Sequence, residues 1–152
     1  IEMMVVIGIL LIVGTMAVGF FFKTLKGASK VEILKEVKQN GDYALGVMER
    51  VIRNAQEIQS CNGSNLKIKN PDGSETEETE FAFSGTNITS NGASLTNSKV
   101  TLVTGTYSFS CDQTRNPPIV TISFTISQIG SPTRPEERAQ VSFKTTVSLR
   151  TY

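Results

Sequence analysis

From Met3 to Phe22 the chain runs for 20 positions without a charge, and Thr15 is the one polar side chain among them. As a helix rising about 1.5 Å per residue, such a run spans roughly 30 Å, the thickness of a bilayer core. Beyond Lys23 the apolar positions thin out but keep a helical period. Leu34, Val37, Gly41, Ala44, Met48, Val51, Ala55 and Ile58 alternate by three and four, and Leu45 and Ile52 widen the stripe. Lys35, Lys38, Asp42, Glu49 and Arg53 fall on the opposite side. No proline precedes Pro71, and Ser60, Asn62 and Gly63 supply stop signals. The spacing therefore predicts one helix over 2–59. Its 1–22 half is apolar all round and suited to a membrane or filament core, and its 23–59 half is one-sided.

From Leu66 the period changes to two. Leu66–Lys69, the turn sequence Asn70-Pro71-Asp72-Gly73 and Phe81-Ala82-Phe83 read as a hairpin. Residues 84–98, rich in Ser, Thr, Asn and Gly, read as an exposed loop or weak strand. Val100–Val103 and Tyr107–Cys111 are short strands, and Asn116-Pro117-Pro118 breaks the chain. The strongest alternation follows: Val120, Ile122, Phe124 and Ile126 interleave with Thr and Ser, and so do Val141, Phe143, Val147 and Leu149 with Ser, Lys and Thr. Gly130, Pro132 and Pro135 mark the turn between them. The expected fold class is α+β: a long N-terminal helix laid by its stripe on an antiparallel β-sheet head over 60–152.

Composition alters this picture in one respect. Over 152 residues the mean hydropathy is −0.06, which alone would describe an average soluble domain. The average merges two environments, since 17 of the first 22 residues are hydrophobic but only 27 of the last 92. With 15 Lys+Arg against 14 Asp+Glu, the chain lacks the basic surplus that phosphate neutralisation requires, so nothing indicates a nucleic-acid partner. The absence of His removes the usual general base and the commonest metal ligand, and the sequence contains no P-loop, nucleophile elbow or metal box. No enzymatic activity, cofactor or metal is expected.

Cys61 follows the predicted helix and Cys111 ends a strand. One intramolecular disulfide is possible, and two unpaired buried thiols are the alternative. A disulfide would place the head in an oxidising compartment. Lys23, Lys26, Lys30, Lys35 and Lys38, read by the positive-inside rule, would place it in the cytoplasm. A short basic leader ahead of Ile1, since removed, would reconcile the two. Glu2 is the odd residue: a carboxylate at the mouth of an apolar run is costly unless paired, and a plain anchor gains nothing from it.

The opening Ile1-Glu2-Met3-Met4-Val5-Val6-Ile7-Gly8-Ile9-Leu10 resembles the N-terminus of type IV pilins and of the pseudopilins of type II secretion. Those proteins begin with Phe, then Thr-Leu, then Ile-Glu and an apolar helix, so relative to them this chain lacks about three front residues and the leader Gly. The motif covers roughly the first 25 residues. The layout of long helix, β head and disulfide agrees over the whole chain. The segments Val47–Asn54 and Val147–Tyr152 look more like J-type pseudopilins and W-type minor pilins than small major pilins.

The resemblance implies a structural subunit of a bacterial type IV pilus-like filament. A leader peptidase would trim and methylate it, and it would wait in the inner membrane with its head outside. Inner-membrane assembly machinery would then lift it into an extracellular helical homopolymer with a core of N-terminal helices. Glu2 would meet a neighbour's N-terminal amine and set subunit register. The family's helix-kinking proline near the end of the apolar run is missing here, so Gly14 and Gly19 are the expected places where the helix loosens in a filament. A minor pseudopilin priming such a filament is the alternative within the family. A membrane-anchored binding module is the alternative outside it.

Three lesser features complete the reading. The acidic stretch Asp72, Glu75, Glu77, Glu78 and Glu80 fits a solvated strand edge better than a Ca²⁺ site. Asn62-Gly63-Ser64 and Asn87-Ile88-Thr89 match the glycosylation sequon, a weak signal in a bacterial protein. Phe20-Phe21-Phe22 is read as filament-core or interfacial packing.

Overall fold

A computed structural model describes residues 2–71, 76–130 and 139–150. Helix α1 runs without interruption from Glu2 to Asn54. At about 1.5 Å per residue its 53 residues make a rod of roughly 80 Å. Among the described residues the head contains nine strands: β1 Glu57–Cys61, β2 Asn65–Lys69, β3 Glu78–Ser84, β4 Asn87–Ser90, β5 Ala93–Ser94, β6 Val100–Leu102, β7 Ser108–Asp112, β8 Ile119–Gln128 and β9 Gln140–Ser148. The arrangement is α+β, as the change of period predicts, but the strands form two antiparallel sheets rather than one. β1 to β5 make a meander in chain order. In the second sheet β8 is central, paired with β9 along one side and with β6 and β7 along the other.

The helix packs on β8 and β9. Val37, Gly41, Ala44, Met48 and Ile52 are buried there, and burying Met48 and Ile52 contributes about 1.5–3 kcal/mol each. Gly41 is required by close approach, because a Cβ at that position would collide with the Phe143 ring of β9. From Phe143 an aromatic chain crosses the head. Phe143 stacks on Phe124 with ring centroids 5.2 Å apart, Phe124 lies 6.0 Å from Phe83, and Phe83 stacks on Phe109 at 4.4 Å. Helix and both sheets therefore share one core.

Two expectations about the helix are corrected. It ends at Asn54 rather than at residue 59, so Ala55 lies just beyond it and Ile58 lies on β1. Both are still buried, but as parts of the head. Ala55-Gln56-Glu57-Ile58-Gln59 is a sequence of mostly good helix formers, and sheet pairing overrides it: Ile58 is opposite Ile68, and the Gln56 N–H donates to the Lys69 carbonyl at 2.9 Å. At the other end of the stripe Leu34 is exposed, while Ile33 packs against the core. The head begins to cover the helix on Ile33's side.

The 84–98 stretch is also more regular than composition suggests. Asn91 and Gly92 both have positive φ, 48° and 81°, and form the two-residue turn that joins β4 to β5. The Asn91 side chain accepts from the Glu80 N–H at 2.7 Å, fixing this turn to β3. Pro132 and Pro135, Asp72 and Glu75, and Thr151 and Tyr152 lie outside the described residues.

Candidate functional site

The head clasps the helix at two levels. Near the end of α1, the Thr145 hydroxyl on β9 donates to the Glu49 carboxylate at 2.6 Å. Nearer the middle, the Glu36 carboxylate takes an ion pair from Lys99 at 3.1 Å and a hydrogen bond from the Asn97 side chain at 3.2 Å. The Asn40 side chain accepts from the Asn97 N–H at 3.0 Å. N-terminal to these contacts, about 30 residues of helix leave the head with no described residue over them, an arm of roughly 45 Å.

Every large apolar side chain from Met3 to Phe22 is exposed on this arm, with Phe20 at 74% and Met4 at 81%. By length and composition the helix qualifies as a membrane span. Its hydroxyl side chains are turned inward on its own backbone. Thr15 donates to the Ile12 carbonyl at 2.9 Å, Thr24 to Phe20 at 3.0 Å and Ser29 to Leu25 at 3.2 Å. Such internal bonding presents hydrocarbon rather than unpaired hydroxyls to an apolar surrounding.

The glycines divide by location. Gly41 has a reason in this chain, whereas a Cβ at Gly8, Gly14 or Gly19 would meet nothing within 4 Å. Gly8 and Gly19 are eleven residues apart and so share one side of the helix three turns apart, while Gly14 lies on another side. Glycine weakens a helix by about 1 kcal/mol relative to alanine. These three stand where the packing of the described residues does not require them. The ladder nevertheless stays helical through Gly14 and Gly19 in the single chain. Glu2 is exposed in the first turn of the helix, where a negative charge suits the dipole, and it has no ion-pair partner among the described residues.

Cys61 and Cys111 form a disulfide that joins β1 of the first sheet to β7 of the second across a separation of 50 residues. The acidic stretch resolves differently from the strand edge expected of it. β3 is an interior strand, and its outward carboxylates alternate with the lysines of β2: Glu78 is opposite Lys69, Glu80 is opposite Lys67, and Lys67 lies 3.4 Å from Glu78. Hydrogen bonds from Gln59 and Lys67, together with the Lys67 charge, hold the Glu78 carboxyl below the usual carboxylate range. No cluster of three metal-ligating side chains occurs among the described residues.

The exposed arm, Glu2 at its tip and the clasp at Glu36 and Glu49 thus make up the candidate site. Of the residues singled out by sequence, Glu2, Gly14 and Gly19 share the arm, and Cys61 and Cys111 staple the head. The clasp at Asn97 and Lys99 has no periodic signal, because both residues sit between strands. No family model matches the chain, and no curated protein or solved structure matches it.

Proposed function

We propose that this chain is a structural subunit of a type IV pilus-like filament with a pilin fold, held in a membrane by its arm before assembly and polymerised through it afterwards. The observation that carries the reading is the division of α1. One half is sealed to the head by shape and hydrogen bonds, and the other is bare, apolar and punctuated by glycines that no described residue requires. A bundle of such arms would cover about 20 apolar positions per copy without exposing an unpaired hydroxyl. Glu2 would be the register device, because a carboxylate in an apolar core is tolerated only against a cation supplied by a neighbour. In that core Gly14 and Gly19 would be the places where the ladder yields. The inter-sheet disulfide supports a head outside the cytoplasm. Filaments in the cell's exterior, with leader peptidase and inner-membrane machinery as partners, follow from this reading.

The test is Glu2→Ala in the native host, with membrane fractions blotted and cell surfaces imaged by electron microscopy. Loss of filaments with the protein still in the membrane is the expected result. Filaments in normal number would defeat the proposal. A second reading, a membrane-anchored display module, draws on the sufficiency of the arm as a lone span, and it expects Glu2→Ala to leave function untouched.

A further inference from the structure

Three Asn-Gly pairs occur in the sequence: Asn40-Gly41, Asn62-Gly63 and Asn91-Gly92. In such a pair the asparagine's amide carbon can close a five-membered ring with the next backbone nitrogen, and glycine has no Cβ to keep the two apart. The fold treats the three pairs differently. Asn40 lies within α1, where the helical ladder engages the Gly41 N–H. Its side chain is held at both ends, donating to the Glu36 carbonyl at 2.9 Å and accepting from the Asn97 N–H at 3.0 Å. Asn91, in the β4–β5 turn, is bound to β3 twice. Its side-chain oxygen accepts from the Glu80 N–H at 2.7 Å, and its own N–H donates to the Glu80 carbonyl at 2.8 Å.

Asn62 is held by its backbone alone. It is exposed in the β1–β2 turn, which backbone bonds between Asn62 and Asn65 close at 2.8 and 3.2 Å. Its side chain has no hydrogen-bond partner among the described residues, and neither has the Gly63 N–H. An unrestrained amide thus stands next to an unengaged backbone nitrogen.

We propose that Asn62-Gly63 is a site of spontaneous covalent modification, at which Asn62 is converted through a cyclic imide to isoaspartate and aspartate. The Gly63 N–H gives its proton to water, and its nitrogen bonds to the Asn62 side-chain carbon. The side-chain amine leaves as ammonia, with a proton returned from solvent. Water then adds to one of the two carbonyl carbons of the ring. Breaking the bond from nitrogen to the side-chain carbon gives aspartate. Breaking the bond to the backbone carbon gives isoaspartate, in which the chain runs through Cβ and Cγ. The sum is amide plus water to carboxylic acid plus ammonia, with no redox partner.

The turn is a junction between the sheets. The Gly63 carbonyl accepts from the Phe109 N–H of β7 at 2.9 Å, and the Ser64 carbonyl accepts from the Phe83 N–H of β3 at 2.8 Å. Isoaspartate lengthens the backbone by one atom directly ahead of Gly63, so the acceptor for Phe109 is displaced. The head thereby records its own age at the seam between its halves. The inference goes beyond filament formation and uses only the fold of the head.

The experiment incubates the full-length chain in detergent micelles in warm neutral buffer made with heavy-oxygen water. Digestion follows in ordinary acidic water, so that conversions during handling stay unlabelled. Peptide mass spectrometry with electron-transfer fragmentation then separates isoaspartate from aspartate at each asparagine. Labelled product is expected at position 62 at least tenfold faster than at 40 or 91, with isoaspartate in excess. In concentrated urea the three sites should convert at similar rates, because the protection of Asn40 and Asn91 is structural. Gly63→Ala should slow conversion at Asn62 at least tenfold. A Cβ there meets nothing within 4 Å and the backbone is not left-handed, so the variant folds. In aged protein the Phe109 amide should exchange with solvent at least tenfold faster, whereas Asn62→Asp, which adds the charge alone, should leave it unchanged. No labelled product at 62, equal rates at the three folded sites, aspartate without isoaspartate, or undiminished conversion in Gly63→Ala would each overturn the proposal. Glu2→Ala leaves every one of these readings unchanged, so a failure here is separable from a failure of the filament reading.

Discussion

Gly41→Ala is the most exacting probe of how the helix is seated. Elsewhere in a helix the exchange would stabilise by about 1 kcal/mol, through lower backbone entropy in the unfolded chain. Gly46 is such a place, since a Cβ there meets nothing within 4 Å. At Gly41 the new methyl would overlap the Phe143 ring, which is buried and stacked on Phe124. The ring lies between Phe124, on which it stacks, and the helix at Gly41. Either the ring leaves its rotamer or the helix lifts from β9, loosening Ala44 and Met48. Overpacking of this kind costs about 1–3 kcal/mol, and it outweighs the propensity gain. Less the propensity gain, Gly41→Ala is expected to lower stability by up to about 2 kcal/mol, a fall of up to about 4–8 °C in Tm for a chain of this size. Gly46→Ala should raise Tm by about 2–4 °C. Thermal melts of the full chain in detergent micelles, followed by the β signal in circular dichroism, would measure both. Phe143→Leu should relieve Gly41→Ala, giving a coupling of at least about 1 kcal/mol in a double-mutant cycle. If Gly41→Ala melts with or above the unmodified chain, the seating described here is wrong.

Three further outcomes follow from other parts of the molecule. Replacing both Cys61 and Cys111 by Ala should lower stability by about 4 kcal/mol in the chain-entropy account of a loop of this length, read as a lower urea midpoint. Asp112 is held below the usual carboxylate range, chiefly by the Thr114 hydroxyl, so its share of stability is complete above the ordinary carboxylate pKa and is lost as pH falls through the lowered value. Thr114→Val should move the Asp112 midpoint upward in an NMR pH titration. Gly8→Leu with Gly19→Leu should leave the head's Tm within about 1 °C, because no described residue occupies those spaces, yet on the proposed function reduce filament number in electron micrographs.

The features legible in the sequence are those set by a short repeat. The uncharged run of 20 positions, the Val37–Ile52 stripe and the alternation of β8 and β9 each report a period that local geometry dictates. The end of α1 was not legible in this way. Gln56 to Gln59 suit a helix, and only the distant partners Ile68 and Lys69 convert them to a strand. The division into two sheets depends likewise on which strands find β8, information spread over the entire head. Asn91-Gly92 is a local hairpin signal whose flanks are too polar to show the alternation that normally accompanies it. For the candidate site, Glu2 stands out because a charge beside an apolar run is anomalous. No ion-pair partner for it occurs among the described residues.

The disulfide also has a mechanical meaning. Tension applied along the arm enters the head where Val37 to Ile52 grip β8 and β9, so the second sheet takes the load first. The first sheet is joined to the end of α1 through Ala55 and Gln56, and it meets the second sheet through side-chain packing around Phe83 and backbone bonds such as Leu102 N–H to Thr86 at 2.7 Å. The Cys61–Cys111 bond adds a covalent cross-link between the two sheets themselves. A head pulled by its helix is thereby kept from parting along the seam between its halves.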